Sequence, residues 1–101
     1  MTPEEALDLK GRANFLDVRE QFEWDGGHLE DSQHIPMGDV PARLDEVDRD
    51  TQIVVICHLG QRSEMVAQWL RQQGYDAHNL DGGLEAWSRA GGGFSSPGMA
   101  P

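Results

Sequence analysis

The sequence predicts an α/β fold: a central, mainly parallel sheet of about four to five strands, with helices on both faces making three layers. Three observations carry this expectation. Short β-rich runs alternate with stretches of helical spacing, the pattern of β–α–β units. The most apolar run, "QIVVIC" (52–57), lacks apolar–polar alternation, as a strand covered on both faces should. At 101 residues, 38% apolar and 26% charged, the chain is sized for one globular domain with a modest core.

The elements are taken in chain order. "TPEEALDLKG" opens as a short helix, with Thr2 able to cap, Pro3 suited to the first turn, and Glu4 and Glu5 at the positive helix end. Gly11 is its expected stop. "NFLDV" (14–18) is a short strand and "QHIP" (33–36) a shorter one; between them "EQFEWDGGHLEDS" predicts one helical turn and a Gly-rich loop. "DVPARLDEVDRD" (39–50) predicts a helix capped by Asp39, with Val40, Leu44 and Val47 on one face. The apolar strand 52–57 belongs at the sheet's centre. Met65, Val66, Trp69 and Leu70 give 62–74 helical spacing, stopped by Gly74. "DAHNL" (76–80) is the last strand and "GGLEAWSRAG" (82–91) the last helix. The domain is expected to span 1–93, with a Gly/Pro/Ser-rich flexible tail, 94–101, after it.

Charge and cysteine usage narrow the function classes. The formal net charge of −10 argues against nucleic acid and anionic membranes as partners. Any anion site must therefore be built locally, from backbone N–H groups and an arginine or two. A single cysteine rules out an internal disulfide and a C-x-x-C pair, and the four histidines, 28, 34, 58 and 78, lack metal-ligand spacing. No metal or other cofactor is expected. No apolar stretch approaches the ~20 residues of a membrane helix, and the start "MTPEEALDLKG" lacks the basic, then apolar, pattern of a signal peptide. The expected location is the cytoplasm.

Cys57 ends the central strand and is succeeded by "HLGQRS" and a helix. In open α/β sheets, sites form beyond the carboxyl ends of strands. If the loop curls around the sulfur, backbone N–H groups of residues 58–63 point inward and join the helix dipole in stabilising a thiolate or a bound oxyanion. Gly60 supplies the positive φ such a curl needs. Arg62 adds a cation with fork geometry, and Ser63 can cap the helix and donate a hydrogen bond. The competing reading makes Cys57 a small buried hydrophobe. Asp17 and Arg19, at the end of the first strand, either shape the cleft or form a structural ion pair. His28 reads as a hydrogen-bonded loop anchor, Trp24, Trp69 and Trp87 as packing residues.

"CHLGQRS" resembles the active-site loop of the rhodanese family, C-x-x-G-x-R-S/T, and the likeness extends across almost the whole chain. "FLDVRE" (15–20) resembles the family's first strand. "QFEWDGGHLEDSQHIP" (21–36) is similar to its E/W-x-x-G-H-I-x-G-A-x-x-I-P segment, and "LDGGLEAWSRAG" (80–91) to its L-x-G-G-x-x-A-W closing helix. The departures are Leu29 and Asp31-Ser32, where the family usually has Ile and Gly-Ala.

The resemblance implies a rhodanese-like fold and a sulfurtransferase of the thiosulfate:cyanide type. Cys57 takes a sulfane sulfur from thiosulfate or a persulfide, and passes it to cyanide or a thiol, with glutathione or a thioredoxin-like protein among the candidate acceptors. His58, Leu59, Gly60, Gln61, Arg62 and Ser63 then form the substrate-binding loop. Related phosphatases and arsenate reductases carry C-x5-R; the C-x4-R spacing from Cys57 to Arg62 is the sulfur-sized loop. Thiosulfate is a dianion and Arg62 is the loop's only permanent cation; Leu59 and the acidic surface make glutathione persulfide, a protein persulfide or a thioredoxin-like acceptor the alternative to thiosulfate. The alternatives are a partner-specific persulfide carrier and a non-catalytic rhodanese-like binding module.

Overall fold

A computed structural model describes residues 1–94 of the chain. Helix α1 (Pro3–Asp8) begins as the sequence predicts: the Thr2 hydroxyl accepts from the Glu5 amide at 3.1 Å, and the Glu5 carboxylate accepts from the Thr2 amide at 2.9 Å. Strand β1 (Asn14–Asp17) comes next, then α2 (Gln21–Asp25), β2 (Gln33–His34), β3 (Ile53–Ile56), α3 (Gln61–Gln72), β4 (Ala77–Asn79) and α4 (Gly83–Arg89). The four strands are parallel, ordered β2-β1-β3-β4, with Leu16 level with Val55 and Ile53 level with Ala77.

Helices cover both faces, which explains the missing alternation in β3. Ile53 and Val55 pack with Leu16, Val66, Ala67 and Leu70 beneath α3; Val54 and Ile56 pack with Phe15, Leu84 and Trp87 beneath α1 and α4. All four β3 residues are fully buried. Each such side chain contributes about 1.5–3 kcal/mol over an exposed one. Phe15 and Trp87 meet edge to face, with centroids 5.6 Å apart.

One element departs from expectation. Instead of a helix over 39–50 capped by Asp39, the chain forms two single 3₁₀ turns, Met37–Asp39, which ends at that residue, and Leu44–Glu46. Pro41 brings no N–H, and Arg43 leaves the helical region at φ −115° and ψ 23°. Asp48 then turns the chain toward β3 by accepting from the Asp50 amide at 2.9 Å and the Thr51 hydroxyl at 2.7 Å. The apolar face was legible nonetheless, since Val40 and Val47 are buried.

Chain direction sets the site. From β1 the chain steps outward to β2, returns to β3 on the other side of β1, and continues to β4. The strand order therefore reverses between β1 and β3, whose carboxyl ends open a crevice. The segments leaving β1 and β3 meet there. Among the described residues no helix is long and apolar enough to cross a membrane. The expected tail beyond Phe94 lies outside the described residues.

Candidate active site

Cys57 lies one residue past β3, buried at the N-terminus of the twelve-residue α3. Its Sγ accepts from the Gly60 amide at 3.0 Å, the Ser63 amide at 3.4 Å and the Ser63 hydroxyl at 3.2 Å. The curl expected from the sequence is present, and Gly60 carries it with φ +105°. A side chain there would also crowd the Gly82 amide, 3.2 Å from the position of its Cβ. Burial by itself pushes the thiol up, but the Ser63 hydroxyl and the amides of Ser63, Gly60 and Leu59 outweigh it, leaving Cys57 below the ordinary thiol value. A hydrogen-bonded thiol at a helix start, held below its ordinary value, has the environment of a reactive cysteine rather than that of an inert core one.

The rest of the predicted loop divides into two groups. Gly60 and Ser63 are buried against the sulfur, whereas the side chains of His58, Leu59 and Gln61 are exposed on the rim. Ser63 does not cap α3. The helix starts two residues earlier, at Gln61 after Gly60, so the Ser63 side chain is free to turn inward. Its hydroxyl also bonds Asn79 Oδ1, at the end of β4. A hydroxyl has one proton, so it serves either the sulfur or the amide oxygen. An ionised Cys57 is the stronger acceptor and draws that proton; a protonated one releases it to Asn79. Sequence reasoning missed Asn79, which no local signal marks, since its short strand also carries the polar His78.

Arg62 departs most from expectation. Its guanidinium forks onto Glu23 of α2, with Nη1–Oε1 at 2.6 Å and Nη2–Oε2 at 2.9 Å, so the loop's cation carries a carboxylate. The hydrogen bonds from Arg62, stronger than the opposing effect of burial, hold the Glu23 carboxyl down to about 2. Oε1 also accepts from the Glu20 amide at 3.0 Å.

Asp17 and Arg19 form a buried ion pair rather than a cleft wall. Arg19 donates from its amide, Nε and Nη2 to the Asp17 carboxylate at 2.9–3.1 Å. It also donates to the Glu23 carbonyl at 3.3 Å and the Gly27 carbonyl at 2.8 Å, pinning α2 and the loop after it. Their effect on the site runs through α2. His28 anchors the same loop, with Nδ1 3.1 Å from the Trp24 carbonyl oxygen and its ring stacked on Trp24. Asp31 stands at φ +64° in the left-handed region, which accounts for the glycine usual at that place in the family.

Comparison with known proteins agrees with this geometry. The model of the rhodanese-like domain matches residues 2–90. YtwF of Bacillus subtilis, which is named as a sulfurtransferase, is 36% identical over 83 residues, 82% of this chain and 81% of that one. YrkF of the same organism, named as a sulfur carrier protein, is 37% identical over 81% of this chain, which spans only 45% of YrkF. A crystal structure of a rhodanese-related protein from Thermoplasma volcanium superposes with a TM-score of 0.88 at 28% identity, covering 93% of this chain and 94% of that one.

Proposed function

The chain belongs to the rhodanese-like family, and from that premise we propose that it is a sulfurtransferase carrying sulfane sulfur as a persulfide on Cys57. The observation that carries this reading is the three hydrogen bonds converging on Cys57 Sγ. They favour the thiolate before the reaction, and the persulfide anion after it needs the same donors.

With thiosulfate, the Cys57 thiolate attacks the outer sulfur. A bond forms from Sγ to that sulfur, the bond between the two thiosulfate sulfurs breaks, and sulfite leaves with the electron pair. With an organic persulfide, R–S–S⁻, the same attack releases R–S⁻. In the second half, cyanide or a thiolate attacks the outer sulfur of Cys57–S–S⁻ and restores the Cys57 thiolate, a double displacement. No proton need move between protein groups, so no general-base histidine is required. Gly60, Ser63 and the amide of Leu59 hold the sulfur, while His58, Leu59 and Gln61 border its entry. Asp17 and Arg19 fix α2 rather than touch the donor. The relative named as a sulfur carrier supports a variant of this reading, delivery to a partner's thiol.

Intact-protein mass spectrometry tests it. Incubation with thiosulfate or glutathione persulfide should add one sulfur atom, which cyanide then removes, and Cys57→Ala should gain none. Loading by glutathione persulfide alone would favour the carrier. No gain from either donor would overturn sulfur transfer and leave a binding module.

A further inference from the structure

Glu23 comes from the segment after β1 and Arg62 from the segment after β3, 39 residues apart, and the two meet across the crevice between those strands. The pair is partly closed to water: the Arg62 side chain is 35% exposed and that of Glu23 20%. Three further bonds keep the carboxylate in place. The Glu20 amide donates to it, Arg19 holds the Glu23 carbonyl, and Asp17 holds Arg19. Arg62 also feels the charge on Cys57 and that of Glu20, so it lies within electrostatic reach of the reacting sulfur and of a second carboxylate. Arg19, buried where it pins α2, is matched by Asp17.

A dianion such as thiosulfate concentrates two charges on a few atoms. Its binding in a cradle of amides needs a cation whose charge is not already spent. Here that charge is neutralised by a rigidly held carboxylate from another element.

We propose that Glu23 is a donor-selecting residue: by pairing with Arg62 it disfavours dianionic inorganic donors and directs the site to organic persulfides, whose reacting end bears a single negative charge. The inference rests on the sulfurtransferase reading and names its substrate class. Glu23 touches Arg62 rather than the donor, so it acts through the cation and not on the chemical step. The resting pair is also the state a dianion must break, which places the penalty in binding. It should appear in KM for thiosulfate more than in kcat.

The test compares thiosulfate and glutathione persulfide as donors for wild type, Glu23→Gln, Glu23→Asp and the double variant Glu23→Gln/Arg62→Gln. Persulfide loading of Cys57 is first confirmed by mass. Glutamine keeps the shape and an acceptor for the Glu20 amide but removes the charge. Glu23→Gln should raise the ratio of kcat/KM for thiosulfate to that for glutathione persulfide by about tenfold, mainly through a lower thiosulfate KM. Glu23→Asp, which keeps the charge, should stay near the wild-type ratio, and the double variant should lose the gain.

An unchanged ratio in folded Glu23→Gln would overturn the proposal. So would a gain that survives in the double variant, because Arg62 would then not be its source. If Glu23→Gln unfolds, Arg62→Gln alone decides: it leaves the Glu23 carboxylate unpaired at the crevice, so the ratio of thiosulfate to glutathione persulfide use should fall by about tenfold, and an unchanged ratio would overturn the proposal. Failure of both donors to load wild-type Cys57 would be a failure of the sulfurtransferase reading, visible before any ratio is measured.

Discussion

Residue by residue, the chemistry at Cys57 depends on one hydroxyl proton. Ser63 is fully buried, and its Oγ lies between Cys57 Sγ and Asn79 Oδ1. Removing the hydroxyl deletes a donor that favours the thiolate, so Ser63→Ala should raise the thiol pKa. The check is the pH profile of alkylation by iodoacetamide. Wild type should show its midpoint below ~8.5 and Ser63→Ala a higher one; coincident profiles would mean that the amides suffice. The linkage has a definite sign. A thiol whose pKa is depressed on folding adds stability above its unfolded value, and this is lost as pH falls through the folded value. Wild type should therefore gain on Ser63→Ala toward alkaline pH and not toward acid pH.

At the scale of elements, the cradle is held from outside by the start of α4. The Leu84 amide donates to the Cys57 carbonyl at 2.8 Å and the Glu85 amide to the His58 carbonyl at 3.2 Å. With the His58 carbonyl tied outward, the Leu59 amide that follows it favours the thiolate. Gly83 permits the approach: its φ is +64°, and a Cβ there would collide with the carbonyls of Cys57 and His58. Gly83→Ala should thus destabilise the fold by roughly 2–4 kcal/mol, whereas Gly38→Ala, which meets open space, should stay within about 0.5 kcal/mol. Urea unfolding separates the two, and equal midpoints would remove α4 from the account of the site. Most of this scaffold was legible in the sequence, since apolar runs and helical spacing are local signals. The helix expected at 39–50 was not, because Pro41 and the Asp48 side chain outweigh a correct apolar pattern. Nor was the partner of Arg62: Glu23 signals locally only a bond to the Glu20 amide, and its pairing across the crevice exists only once β1 and β3 lie side by side.

For the whole molecule, the net charge of −10 acts on every anionic donor before the site is reached. The Cα radius of gyration is 12.4 Å, small enough for this charge to be felt at the crevice from any face. Screening lengths shrink from ~30 Å at 0.01 M salt to ~8 Å at 0.15 M. Repulsion of a dianion is relieved over that range, and thiosulfate loading should accelerate by roughly 3- to 10-fold with added sodium chloride. A rate that falls with salt would instead mean that an unmatched cation at the crevice dominates the approach, contrary to the Glu23–Arg62 pairing. The two scales can be told apart in one variant. Glu23→Gln changes the net charge from −10 to −9, since −10 + 1 = −9. If only the global field mattered, the salt dependence would weaken by about a tenth. If Glu23 neutralises Arg62 locally, its removal leaves a cation beside the sulfur, and the acceleration by salt should shrink by more than half. The slope of loading rate against ionic strength in that variant therefore measures how far the cradle is shielded by one carboxylate rather than by the acidity of the whole chain.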